Sequence, residues 1–152
     1  MKKFCLITLI ALALFVVAPA AARAQGNAKQ GPEVARDPDM EKDSLHNLEV
    51  ARQYFKLRKA YKASLARCEE IIAGNPTFSR IDEVLLIAGQ SSLRLSENKG
   101  KQSVKTTTDK LREDARDYLS ILVNSYPDSR FKDEALQALK DLGGPKAKDG
   151  KR

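Results

Sequence analysis

Apolar positions recur at three- and four-residue steps from about residue 44 to residue 142, with polar breaks between runs. That spacing lays an apolar stripe along one face of a helix. The first run places Leu48, Ala51 and Phe55 on one face, predicting a helix over 44–58 behind the capping pair Asp43-Ser44. Asp37-Pro38 is an alternative N-cap and first-turn pair, which would start it earlier. A second helix is expected over 60–74, carrying Tyr61, Leu65, Cys68, Ile71 and Ile72 and stopped by Gly74-Asn75-Pro76. A third is expected to follow Ser79 as cap and run to Leu95, with Ile81, Leu85, Ala88 and Leu95 inward. After a polar, threonine-rich stretch, a fourth covers 109–125 with Leu111, Ala115, Tyr118 and Leu122 inward. The fifth follows Ser129, uses Phe131, Ala135, Leu139 and Leu142, and ends at Gly143-Gly144-Pro145. No segment alternates with period two, so no sheet is expected.

The pattern repeats. Asp82-Glu83-Val84-Leu85 returns as Asp133-Glu134-Ala135-Leu136, an offset of 51 residues. The same register pairs Ser64 with Ala115, Cys68 with Leu119, Ile71 with Leu122, Ile72 with Val123 and Pro76 with Pro127. Helical hairpins that repeat in this way stack to bury faces they cannot bury alone, and the tetratricopeptide period is about 34 residues. The excess falls in an inserted loop over 97–108. The expected fold is therefore all-α, a tetratricopeptide-like right-handed stack of about five antiparallel helices, or two and a half repeats, over 44–142. Small residues, Ala51, Ala63, Ala66, Ala88 and Ala115, stand where the helices are expected to approach closely.

Outside that span the chain changes character. Met1-Lys2-Lys3, the apolar run Phe4 to Ala18 and the small-x-small site Ala22-Arg23-Ala24 form a signal peptide over 1–24, cleaved before Gln25. Its apolar core is shorter than the roughly 20 residues that span a bilayer. Residues 25–43 read as a disordered linker and 143–152 as a disordered basic tail, since both are polar and lack periodicity. The chain has 27 Lys plus Arg against 20 Asp plus Glu, a formal +7. Without Lys2, Lys3 and Arg23 this falls to +4. So mild a bias, with no aromatic interleaving, argues against a nucleic-acid surface. It suits at most weak contact with an anionic membrane or envelope polymer.

Candidate chemistry is sparse. Cys5 leaves with the signal peptide, and Cys68 lies on an apolar stripe where a thiol acts as a small hydrophobe. His46 is the only histidine and has no companion at metal-ligand spacing. No phosphate-binding loop, nucleophile elbow or paired-histidine metal motif occurs. The carboxylate pairs Glu69-Glu70 and Asp82-Glu83 are expected to face solvent. The sequence points to no enzyme and no cofactor.

Tyr54-Phe55-Lys56-Leu57-Arg58-Lys59-Ala60-Tyr61, Glu69-Glu70-Ile71-Ile72 and Asn75-Pro76 together resemble the BamD (YfiO) family. Ala115-Arg116-Asp117-Tyr118-Leu119 and Asn124-Ser125-Tyr126-Pro127-Asp128-Ser129 extend the resemblance over about 44–142. That family is the tetratricopeptide-fold component of the outer-membrane β-barrel assembly machine. Its members carry a lipidated cysteine after the signal peptide; here the position is Gln25, so no acyl anchor is expected. The resemblance implies a periplasmic, non-enzymatic interaction module whose partner is an envelope protein or peptide segment. Tetratricopeptide grooves are lined by the inner helices, which makes Arg52, Lys56, Arg80 and Gln90 the candidate groove residues. A second class of function is a self-associating structural or division-linked repeat protein, whose half repeat is completed by a homo-oligomer.

Overall fold

The computed structural model of the protein describes residues 36–100 and 102–147. The expected signal peptide, the linker up to residue 35 and the last five residues lie outside that range. Among the described residues the chain is helical, with no strand. The elements are α1 (Pro38–Gln53), a π-helical turn (Tyr54–Arg58), α2 (Tyr61–Gly74), α3 (Ile81–Ser96), α4 (Thr108–Ser125) and α5 (Lys132–Lys140). Each helix packs on the next in order, and α1 also touches α3. None of them is long and apolar enough to cross a membrane.

The first helix starts earlier than the boundary at residue 44. Asp37 caps it, its Oδ1 accepting from the Asp39 N–H at 2.9 Å and the Met40 N–H at 3.4 Å, with Pro38 at the first helical position. Residues 38–43 are therefore helix rather than linker. The turn after α2 holds them there. The Ser79 N–H donates to Glu41 Oε1 (3.1 Å), Asn75 Nδ2 donates to Ser44 Oγ (3.2 Å), and Arg36 Nε donates to the Thr77 carbonyl (2.9 Å). Ser79 thus spends its backbone on α1 and does not cap α3, whose N-cap, Arg80, makes no side-chain capping bond.

α3 is the centre of the bundle. Eleven of its sixteen residues are buried, so it is wrapped on nearly all sides. Leu48 and Ala51 of α1, Cys68 and Ile71 of α2, Leu119 and Leu122 of α4, and Ala135 and Leu139 of α5 close the core around it. At Gly89 α3 and α4 approach closely: a Cβ there would lie 2.6 Å from Leu119 Cγ. Of the five alanines, Ala51, Ala88 and Ala115 are fully buried, while Ala66 is exposed. Leu119 occupies the inward position on α4, with Tyr118 only half-buried beside it.

The repeat seen in the sequence is present in the turns. α2 and α4 both end on a backbone bond four residues back, Asn75 N–H to the Ile71 carbonyl (2.8 Å) and Tyr126 N–H to the Leu122 carbonyl (3.0 Å). The next bonds also correspond. Phe78 to Asn75 and Ile81 to Phe78 in the first turn match Ser129 to Tyr126 and Lys132 to Ser129 in the second. The inserted loop between α3 and α4 covers 97–107, with Thr107 capping α4 through its hydroxyl at the Lys110 N–H.

Two further segments depart from expectation. The first helix does not run smoothly to residue 58: it widens into the π-helical turn, where the Tyr54 carbonyl receives the N–H groups of both Lys59 and Ala60. At the other end, residues 143–147 are docked on α4 rather than disordered. Arg116 donates to the carbonyls of Gly144 (2.7 Å) and Gly143 (3.1 Å), the Lys146 N–H donates to Ser120 Oγ (2.9 Å), and Asn124 Nδ2 donates to the Lys146 carbonyl (2.9 Å). The polar face of α4 supplies hydrogen-bond partners that polarity alone did not reveal.

Candidate functional site: an arginine cluster on one carboxylate

α1, α3 and the turn leading into α5 bring three guanidinium groups to Glu83. Arg52 Nε lies 2.6 Å from Glu83 Oε1, and Arg80 Nη2 lies 2.6 Å from Oε2. Arg130 Nη2 stands 3.8 Å from Oε2, an ion pair without a direct hydrogen bond. The Glu83 side chain is 11% exposed, against 24% for Arg52, 37% for Arg80 and 72% for Arg130. Glu83 is therefore not the solvent-facing carboxylate its helical position suggested. A helix buried on most sides leaves its first turn little solvent to face, and the charge is met by arginines instead.

Electrostatics follow from that placement. Burial is the largest single influence on Glu83 and would raise its pKa. The hydrogen bonds and charges of Arg52 and then Arg80 together outweigh it, so the carboxyl is held below its usual range. In return, the hydrogen bond to Glu83 raises the pKa of Arg52.

Beside the cluster lies a cleft of about 430 Å³, walled by Arg80, Glu83, Asp128, Ser129, Arg130 and Phe131 among others. The Ser129 hydroxyl donates to Asp82 Oδ2 (2.6 Å) and accepts the Phe131 N–H (3.1 Å), pinning the α4–α5 turn to the start of α3. The Arg130 guanidinium lies over the Phe131 ring, 4.6 Å from its centroid. The ring supports the group while its donors stay in water, a geometry suited to donating hydrogen bonds to oxygen atoms of a partner.

Of the four residues expected in a groove, Arg52 and Arg80 meet at Glu83. Gln90 lies further along α3 and donates through Nε2 to Glu134 Oε1 on α5 (2.7 Å). Glu134 is the residue 51 positions after Glu83, so the repeat places two glutamates equivalently, each bound by a side chain of the preceding inner helix. Lys56 sits apart on the π-helical turn, exposed and without an ion pair among the described residues. Sequence reasoning missed Arg130 and the collecting role of Glu83. The recurrence of Asp-Glu at the two helix starts was the available signal.

The remaining reactive groups do not form a centre. Cys68 is buried on every side, and burial pushes its thiol up to about 12, leaving it protonated. Among the described residues no three His, Cys, Asp or Glu side chains are grouped to hold a metal ion. No exposed large apolar side chain among the described residues lies on α5, whose Ala135 and Leu139 are spent in the core. No protein-family profile matches this chain, and comparison with curated proteins and with solved structures returns no match.

Proposed function

We propose that the helical unit is a non-enzymatic interaction module of tetratricopeptide type, similar to BamD and working at the cell envelope. The face formed by α1, α3 and the start of α5 holds an acid-bearing segment of another envelope protein. The observation that carries this reading is the sharing of one carboxylate by Arg52, Arg80 and Arg130. Glu83 accepts directly from Arg52 and Arg80 alone, so the exposed Arg130, 3.8 Å away, keeps its donors for a partner. The successive helix pairs and the equivalent turns after α2 and α4 support the tetratricopeptide reading.

Affinity capture from envelope extracts tests it, using the natural chain beside Arg130→Glu. An envelope protein recovered by the first and lost by the second supports the proposal. Equal recovery by both, or nothing above background from either, overturns it.

A further inference from the structure

The corner between α1 and α2 presents a large apolar side chain to water. Leu57 is 79% exposed, the most open of the exposed large hydrophobic residues. Its neighbours along the chain are basic: Lys56, Arg58 and Lys59 are exposed beside it, and exposed Lys62 lies in the first turn of α2. Residues 54–62 contain no acidic side chain, and these four bases make no ion pair among the described residues. The inserted loop docks on the same corner. Gln102 Oε1 accepts the Lys62 N–H at 2.8 Å, Lys62 Nζ donates to the Ser103 carbonyl (3.4 Å), and exposed Lys105 follows two residues later. The loop's one carboxylate, Glu97, is bound by Lys99 at 2.7 Å.

The exposure of Leu57 is built in by backbone geometry. Lys59 takes a left-handed conformation (φ 51°) that ends the π-helical turn. The Phe55 and Tyr61 rings meet edge to face, 5.3 Å between centroids, and pull the chain inward on either side of Leu57. Gly100 presses against the corner so closely that a Cβ would come within 2.4 Å of the Lys59 carbonyl oxygen. The turn is therefore held from three sides while Lys56, Leu57, Arg58 and Lys59 stay exposed. Widened turns of this kind occur often at functional sites.

From this geometry we propose that the α1–α2 corner is a docking surface for an anionic lipid bilayer. Leu57 enters the headgroup layer, and Lys56, Arg58, Lys59, Lys62 and Lys105 meet the phosphates. Charge complementarity favours that occupant: uniformly basic side chains around one apolar residue suit a surface of dispersed negative charge. The proposal is independent of the arginine cluster.

The chain contains no tryptophan, so Leu57→Trp introduces a single reporter at the corner, unaffected by binding elsewhere in the chain. The protein as it accumulates in cells is mixed with phosphatidylglycerol-containing vesicles, some carrying brominated acyl chains, and with phosphatidylcholine vesicles. The expected result is a blue shift and bromine quenching with the anionic vesicles only. In sedimentation with the same vesicles, Leu57→Ser lowers partitioning about tenfold, and Lys56→Gln with Arg58→Gln lowers it about 25-fold. Unchanged emission at position 57 overturns the proposal. So does equal response to both lipids, or vesicle binding that survives Leu57→Ser. Loss of an acidic protein partner on Leu57→Ser without any vesicle response would assign the corner to protein recognition instead.

Discussion

Replacing Glu83 by glutamine keeps the volume of the side chain and removes the charge that Arg52, Arg80 and Arg130 share. Of the two charge-assisted hydrogen bonds of 2.6 Å, one then loses its anionic acceptor and the other is lost, because the amide NH2 cannot accept. Hydrogen bonds to charged groups contribute about 1.5–3 kcal/mol each when shielded from water. Arg52 and Arg80 are 24% and 37% exposed, so water compensates part of the loss, more for Arg80. A destabilisation of about 2 kcal/mol results, below the roughly 3–5 kcal/mol for orphaning a fully buried charge. Urea unfolding followed by circular dichroism measures it. With a slope of about 1–3 kcal/mol per molar, the midpoint falls by about 1 M.

The pH dependence has a definite sign. The folded-state pKa of Glu83 is lowered, so its ionisation stabilises the fold above the ordinary carboxyl value of about 4.3. That contribution is lost as the pH falls from there through the folded-state value. The gap between natural protein and Glu83→Gln is expected to be full near neutrality and to close in acid. A midpoint shift under about 0.3 M at neutral pH, or a gap that persists unchanged in acid, would refute the argument.

Other consequences follow from single contacts. Gly89→Ala puts a methyl group 2.6 Å from Leu119 Cγ, and despite alanine's better helix propensity it should lower stability by about 1–2 kcal/mol in the same assay. Gly100→Ala is strained both by φ +82° and by the Lys59 carbonyl at 2.4 Å; it should destabilise by about 1–3 kcal/mol and speed amide exchange over residues 54–62. Asp37→Ala removes the cap of α1 and should cost about 1 kcal/mol, read as lost helicity and a lower melting temperature. Cys68, buried with its thiol pushed up to about 12, should react with a thiol reagent at mildly alkaline pH only as the protein unfolds; immediate labelling of the folded chain would contradict its burial.

Much of the helical order was legible because apolar spacing and stop signals coincide. Gly74-Asn75-Pro76 closes α2, and the stripe through Leu111, Ala115 and Leu122 follows the buried side of α4. The 51-residue offset located the equivalent turns because their backbone bonds depend on local sequence. The π-helical turn was hidden because its end is a left-handed lysine, where glycine would have been the usual sign. Pro38 was a visible start signal, but the apolar stripe begins later and drew the boundary to residue 44. Residue type revealed the charge of Glu83 but not its burial, which depends on α1, α5 and the turn before it closing around α3. Arg130 belongs to the site only through that closure. The docking of residues 143–147 likewise depends on Arg116, Ser120 and Asn124 sharing one face of a folded α4.

The central claim is that the face joining α1, α3 and α5 receives a protein segment. Site-specific photo-crosslinking in living cells tests it most directly. A photoreactive residue is placed at Gln90 or at Asp128, an exposed residue of the cleft that leaves Arg130 in place, and at the exposed Lys110 of α4 as a control. The account predicts a discrete adduct with an envelope protein from positions 90 and 128 and none from 110, with both adducts weakened by Arg130→Glu. Adducts of equal yield from all three positions, or none from the two on the face, would contradict it.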